Sequence, residues 1–166
     1  MQYFAMLDRV SKAVATLPRR AATLAVNFIK QRFRDQNWVD NTTQPWPKRK
    51  QGWVKESRKR QGRAVLVDTG RLRRSIRTVH VDSNSATIGT DVPYARVHND
   101  GFRGRITQNV RAHTRTVRKK AVRVKAHSRT RRVNIPRRRF IGASPVLERQ
   151  INRMLTAEIV KAIKGE

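Results

Sequence analysis

The sequence predicts an α+β fold in which a long N-terminal helix and a C-terminal helix pack on a small antiparallel sheet, with an extended basic β-ribbon inserted between them. Three observations carry this. Apolar residues recur every three or four positions at both ends of the chain, β-branched segments flank a polar turn near its middle, and a long basic run alternates with period two.

In the first segment, Phe4, Leu7, Val10, Val14, Leu17, Ala21, Leu24, Ala25 and Phe28 form one apolar stripe, predicting a helix over 3–34. Pro18 removes a backbone donor and crowds the preceding turn, so a kink or break is expected near Thr16 and Leu17. Periodicity then vanishes. Asn41, Pro45, Pro47 and Gly52 punctuate a stretch read as a long loop over 35–63, with Trp38, Trp46 and Trp53 expected to pack it onto the body.

Order returns at Ala64-Val65-Leu66-Val67, and Asp68-Thr69-Gly70 is read as the cap of a short helix carrying Leu72 and Ile76 on one face. Segments 76–81 and 86–90 flank Asp82-Ser83-Asn84-Ser85 and predict a hairpin. Tyr94-Ala95-Arg96-Val97-His98 follows as a second short helix, ended where Gly101 tolerates left-handed geometry.

From Gly101 to Leu147 there is no Asp or Glu. Ile106, Val110, Ala112, Thr114 and Thr116 alternate there with Thr107, Asn109, Arg111, His113 and Arg115. Val122, Val124 and Ala126 alternate likewise with Arg123, Lys125, His127 and Arg129. Two arms joined near Arg118-Lys119-Lys120 make a ribbon, on whose exposed face Arg111, Arg115, Arg123 and Lys125 are expected. After Pro136 to Gly142, Ser144-Pro145 opens a last helix with Leu147, Ile151, Met154, Leu155, Ile159 and Ile163 as its apolar stripe. Leu72 and Ile151 are assigned to the core, and no internal repeat is found.

The chain has 166 residues, 37% of them apolar, enough for one modest core and not two. A single domain over 1–166 is expected, divided into helix 1–34, loop 35–63, core strands and short helices 64–101, basic ribbon 102–136 and C-terminal segment 137–166. Lys and Arg total 39 against 11 acids, a formal charge of +28 that favours an anionic partner. The absence of cysteine excludes disulfides, thiol catalysis and thiolate metal sites. The charges at Asp8, Arg9 and Lys12 interrupt the opening helix, so no signal peptide, membrane span or membrane partner is expected.

No catalytic constellation emerges. The four histidines and the scattered aspartates show no helical metal-ligand spacing, and no G-x-x-x-x-G-K loop exists. His98-Asn99-Asp100 invites comparison with a metal nuclease, but the glycine directly after it makes a turn the better explanation. Asp68, Ser75 and His80 do not compose a nucleophilic triad. A non-enzymatic protein without cofactor or metal is expected.

The order of motifs carries a resemblance. Asp68-Thr69-Gly70-Arg71-Leu72 leads to Ser75-Ile76, followed by Ile88-Gly89-Thr90, then Tyr94-Ala95-Arg96-Val97-His98 up to Gly101, then Pro136-Arg137-Arg138-Arg139-Phe140 before a terminal helix. Over about 64–164 this resembles the Mu-like virion morphogenesis proteins of tailed phages, within the wider group of tail-completion and head-tail connector proteins. The resemblance implies a structural subunit of the virion neck, assembled in the host cytoplasm. It further implies a homo-oligomeric ring, a hexamer, that meets the portal or adaptor side and the tail-tube or terminator proteins. Its motif residues, Asp68, Thr69, Gly70, Leu72, Ser75, Ile76, Gly89, Tyr94, Ala95, His98, Gly101, Pro136, Arg139 and Phe140, would be structural.

The ribbon and the tryptophan loop exceed the shortest family members, so their contacts must be argued physically. Arg111, His113, Arg115, Arg118, Lys119, Lys120, Arg123, Lys125, His127 and Arg129 are the candidate contact residues, toward genomic DNA or an acidic protein face. Protein or mixed contact is slightly favoured, because a strongly attractive lumen would retard DNA exit. The competing reading is a sequence-nonspecific nucleic-acid-binding protein driven by charge alone. Against it, Phe102 and Phe140 are the only aromatic residues of the basic region.

Overall fold

In the computed structural model, which describes residues 2–49 and 63–165, one helix organises everything else. Helix α1 spans Gln2–Asp35 without interruption at Pro18. The expected break does not occur. The helix does not bury the whole of its stripe either: Leu17, Ala22, Ala25, Phe28, Ile29 and Phe33 are buried, whereas Phe4 is 76% exposed and Leu7 is also open. The cause lies at the other end of the chain.

Helix α4, Pro145–Lys164, packs alongside α1, and its last turn lies opposite Arg9, whose Nε donates to the Ala162 carbonyl at 3.2 Å. The first turns of α1 therefore overhang its partner. Arg20 and Glu158 pair midway along the two helices. Ser144 caps α4, accepting from the Leu147 amide at 3.3 Å, with Pro145 in the first turn. Its apolar stripe, including Ile151, is only half-buried, so Ile151 is a groove residue rather than a core one.

The stretch read as a long loop contains a hairpin. Strands β1, Asn37–Val39, and β2, Thr43–Pro45, pair antiparallel, too short for periodicity to register. Gln36 fixes its entry with φ 56°, its side chain donating to the Phe33 and Val65 carbonyls and accepting from the Val65 amide. Arg32 is buried yet satisfied, reaching the Phe28 carbonyl, Asn37 Oδ1 and Asp35. Trp38 and Trp46 enter the core as expected, and Trp53 lies outside the described residues.

Helix α2, Arg71–Ser75, begins at Gly70 with φ 75°, and the Thr69 hydroxyl accepts from the first helical amide, that of Arg71, at 3.3 Å. The Asp68 carboxylate accepts from Arg63 at 2.7 Å. Strands β3, Arg77–Val81, and β4, Ala86–Gly89, form the expected hairpin, which packs against α1. Helix α3, Ala95–Asp100, ends at Gly101, where φ is 78° and a Cβ would stand 3.0 Å from the Arg137 amide nitrogen.

The ribbon is a hairpin of two successive ladders. Strand β5, Phe102–Val110, pairs with β8, His127–Ile135, and β6, His113–Val117, pairs with β7, Lys120–Val124. Equal gaps at 111–112 and 125–126 separate the ladders, so the register does not slip. The core cluster joins α1, β1–β2, α2 and the segment before α4 through Phe28, Phe33, Trp38, Trp46, Leu72, Ile76 and Phe140. No described helix is long and apolar enough to cross a membrane.

Candidate functional site: a motif junction and a basic ribbon

Three motif segments that are remote in sequence meet at one cleft of about 380 Å³. Asp68, Thr69, Gly70 and Leu72 line it from the turn before α2, Tyr94 and His98 from α3, and Arg49 and Arg138 from the two flanking segments. The joint is made by backbone as much as by side chain. Arg138 donates its amide to the His98 carbonyl at 2.8 Å, and Asn99 Oδ1 accepts from the Phe140 and Ile141 amides, both at 3.0 Å. Arg138 is itself buried, and its guanidinium donates to the Pro47 and Lys48 carbonyls. One segment thus ties the loop after β2 to α3.

The other motif residues serve the same joint. Ser75 Oγ lies 2.6 Å from Thr90 Oγ1, linking the end of α2 to the exit of the hairpin, and Thr69 Oγ1 accepts from the Arg71 amide. At Gly89 a Cβ would meet Val79 at 3.0 Å, so the tight pairing of β3 and β4 favours glycine there. Leu72, Ile76, Ala95 and Phe140 are core. Arg139 covers the Trp38 ring at 4.7 Å, while its carbonyl accepts from Trp46 Nε1 at 2.8 Å. Pro136, which can donate no amide, comes directly after β8.

Among the described residues no reactive centre is assembled there. Asn99 turns toward the Phe140 segment, Asp100 accepts from Asn99, and among the described residues no three His, Asp or Glu come together as a metal site. His98 Nδ1 is buried without a hydrogen-bond partner among the described residues, and burial, with the nearby Arg138 charge, holds the His98 pKa below its ordinary value of 6.5. Folded protein thus favours neutral His98, while the unfolded chain takes up a proton more readily. This contribution is complete above the ordinary pKa and declines as pH falls below it. Thermal midpoints of wild-type chain should therefore drop between pH 7 and 5.5 more steeply than those of His98→Gln. Parallel curves would show that His98 does not set this sensitivity.

Residues 3–160, nearly the whole chain, match the phage virion morphogenesis family. The chain belongs to that family. No curated protein and no solved structure matches it. Membership gives the chain a structural part in building a phage virion, and the match includes the N-terminal helix, which carries no motif of its own. The motif junction is the frame shared by this family member's turn, short helix and PxRxF segment.

The ribbon is the second candidate site. Arg115, Arg118, Lys119, Lys120, Arg123 and Arg129 are exposed on it, and every residue of β6 is exposed. Arg118 and Lys119 form the tip, with φ of 49° and 66°. Positive φ at both positions is the pattern of a type I′ turn, normally given to Asn-Gly. Two cations occupy it instead.

His113 and His127 occupy equivalent places. Each ring Nδ1 lies near the carbonyl two residues earlier, Arg111 at 2.8 Å and Lys125 at 2.9 Å. They expose a repeat missed in the sequence: Val110-Arg111-Ala112-His113-Thr114-Arg115-Thr116 and Val124-Lys125-Ala126-His127-Ser128-Arg129-Thr130 differ only by conservative exchanges.

The register also corrects the expected single basic face. Directly paired residues of an antiparallel ladder share a face. Arg115 pairs with Val122, and Arg123 with Thr114, so Arg115 and Arg123 point to opposite sides. In the inner ladder Ile106 and Gln108 share a face with Arg131 and Arg129, while Arg105 stands opposite Arg132 on the other. Each arm alternates as read, but pairing sets the basic column of one arm beside the apolar column of the other. Both faces of the ribbon are basic.

Proposed function

We propose that this virion protein is a ring-forming subunit of the head-tail junction, acting in tail completion or head-tail joining. The observation that carries this reading is the pair of projections that the body does not use. The ribbon stands out with β6 and β7 contacting chiefly each other, and the overhanging start of α1 exposes Tyr3, Phe4 and Leu7. Contiguous apolar surface of that kind is uncommon on a monomer and is usual where a neighbour covers it. A homo-oligomeric ring, a hexamer by family resemblance, supplies such a neighbour. Portal-side and tail-tube or terminator proteins are its partners above and below.

A structural role also fits the motif residues, which are consumed in holding segments together rather than left free in a cleft. Electron microscopy of a lysate from the parent phage or prophage lacking this gene tests the reading. Filled heads beside unattached or overlong tails are expected, and intact particles would refute it.

A further inference from the structure

The strand register points to duplex DNA as the partner of the basic ribbon, which we infer enters a groove with phosphates on both sides. The inference rests on the junction reading only for where the DNA is met. It changes the balance drawn from sequence, which slightly favoured protein.

A ribbon docked flat on a protein needs one face to bury. This one offers no such face. Arg129 and Arg131 stand on one side of the β5–β8 ladder and Arg103, Arg105 and Arg132 on the other, while Lys120 and Arg115 oppose Arg123 in the β6–β7 ladder. All of these side chains are exposed, and no acid occurs between Asp100 and Glu148 to offset them. Two anionic walls suit this distribution, and the major groove of B-DNA, about 12 Å wide, admits a two-stranded β-ribbon between its phosphate rails. From Phe102 to Val117 the arm extends for about 50 Å at roughly 3.3 Å per residue, long enough to lie between the phosphate rails over a large part of one turn.

The tip supports a charged partner too. Placing Arg118 and Lys119 at positive φ costs stability that Asn-Gly would not, so the turn keeps charge at the expense of local preference. A single-stranded partner is disfavoured because stacking platforms are missing. Phe102 is the only Phe, Tyr or Trp of the ribbon, its ring covers Gly104, where a Cβ would stand 2.8 Å from it, and the His113 and His127 rings each lie against a backbone carbonyl. Contacts to phosphate are also screened and reversible, so a row of arginines need not arrest DNA that is driven past it.

Net charge alone would make the whole molecule bind DNA, so the test must localise the contact. Binding of purified full-length chain to a generic 24-bp duplex, roughly two turns of B-DNA, is followed by fluorescence anisotropy from low to moderate salt. Three double variants are compared: R129Q/R131Q, R105Q/R132Q and, on the exposed side of α4, R149Q/R153Q. Unchanged circular dichroism and melting confirm that each is folded. Each ribbon variant should lower the slope of log K against log salt by about 1.8, from about 0.9 per lost phosphate contact. The helix variant should leave the slope near wild type. An equal loss in all three would reduce the effect to net charge, and a loss for one ribbon face alone would overturn the two-walled contact. Tighter binding to single-stranded DNA, or no loss in either ribbon variant, would transfer the ribbon to another partner. None of these outcomes depends on particle morphology, so this inference and the junction reading fail separately.

Discussion

Leu72→Asp is expected to abolish cooperative folding at neutral pH. Leu72 is 2% exposed on the short helix α2, beside fully buried Ile76, and it belongs to the core shared with α1 and Phe140. Removing the apolar side chain alone costs about 2–5 kcal/mol. An unpaired carboxylate in its place adds several kcal/mol more, against a total stability of about 5–15 kcal/mol for a domain. Urea unfolding followed by circular dichroism should show no sigmoidal transition. A native-like transition would remove Leu72 from the core. Ile151→Asp, in the half-buried groove of α4, should retain one, because the carboxylate can reach water there.

Phe140→Ala should leave the chain folded but lower its stability by about 3–5 kcal/mol, the usual cost of emptying a large aromatic site. The Phe140 ring is 1% exposed and sits 5.1 Å from Phe33, which in turn meets Trp46 edge-on at 5.3 Å. Truncation therefore opens a void where α1, the β1–β2 hairpin and the PxRxF segment converge. The urea midpoint should fall while the slope of the transition is kept. A loss below 1 kcal/mol would show that the surroundings collapse into the space.

Both predictions concern motif residues, and both assign them to packing. That assignment was partly legible in sequence. The spacing of Leu72 and Ile76 marks a buried helical face, and Ser144-Pro145 marks the start of α4. The length of the buried stripe on α1 was not legible, because Phe4 and Leu7 repeat in phase with Phe28 and only the extent of α4 decides which of them is covered. Strands of three residues around Trp38 and Gln44 leave no period to detect. Nor could the cleft be foreseen: Asp68, His98 and Arg138 line it together, and the bond between the last two runs from the Arg138 amide to the His98 carbonyl, which has no signature in residue type.

The ribbon shows a different limit. Alternation within each arm was readable, and so was the turn at Arg118 and Lys119. Which faces coincide depends on register, and a shift of one residue would have produced the single basic face that the arms suggest when read separately. The observed pairing of Arg105 with Arg132 and of Ile106 with Arg131 gives charge to both sides. This decides the kind of surface that the ribbon can meet.

The most direct test of the junction role is complementation of the gene-deleted lysate, containing separated heads and tails, with purified chain. Restored infectious particles, with tails joined to heads and no rescue by Leu72→Asp, is the predicted result. Heads and tails that join equally well without the chain would contradict the account.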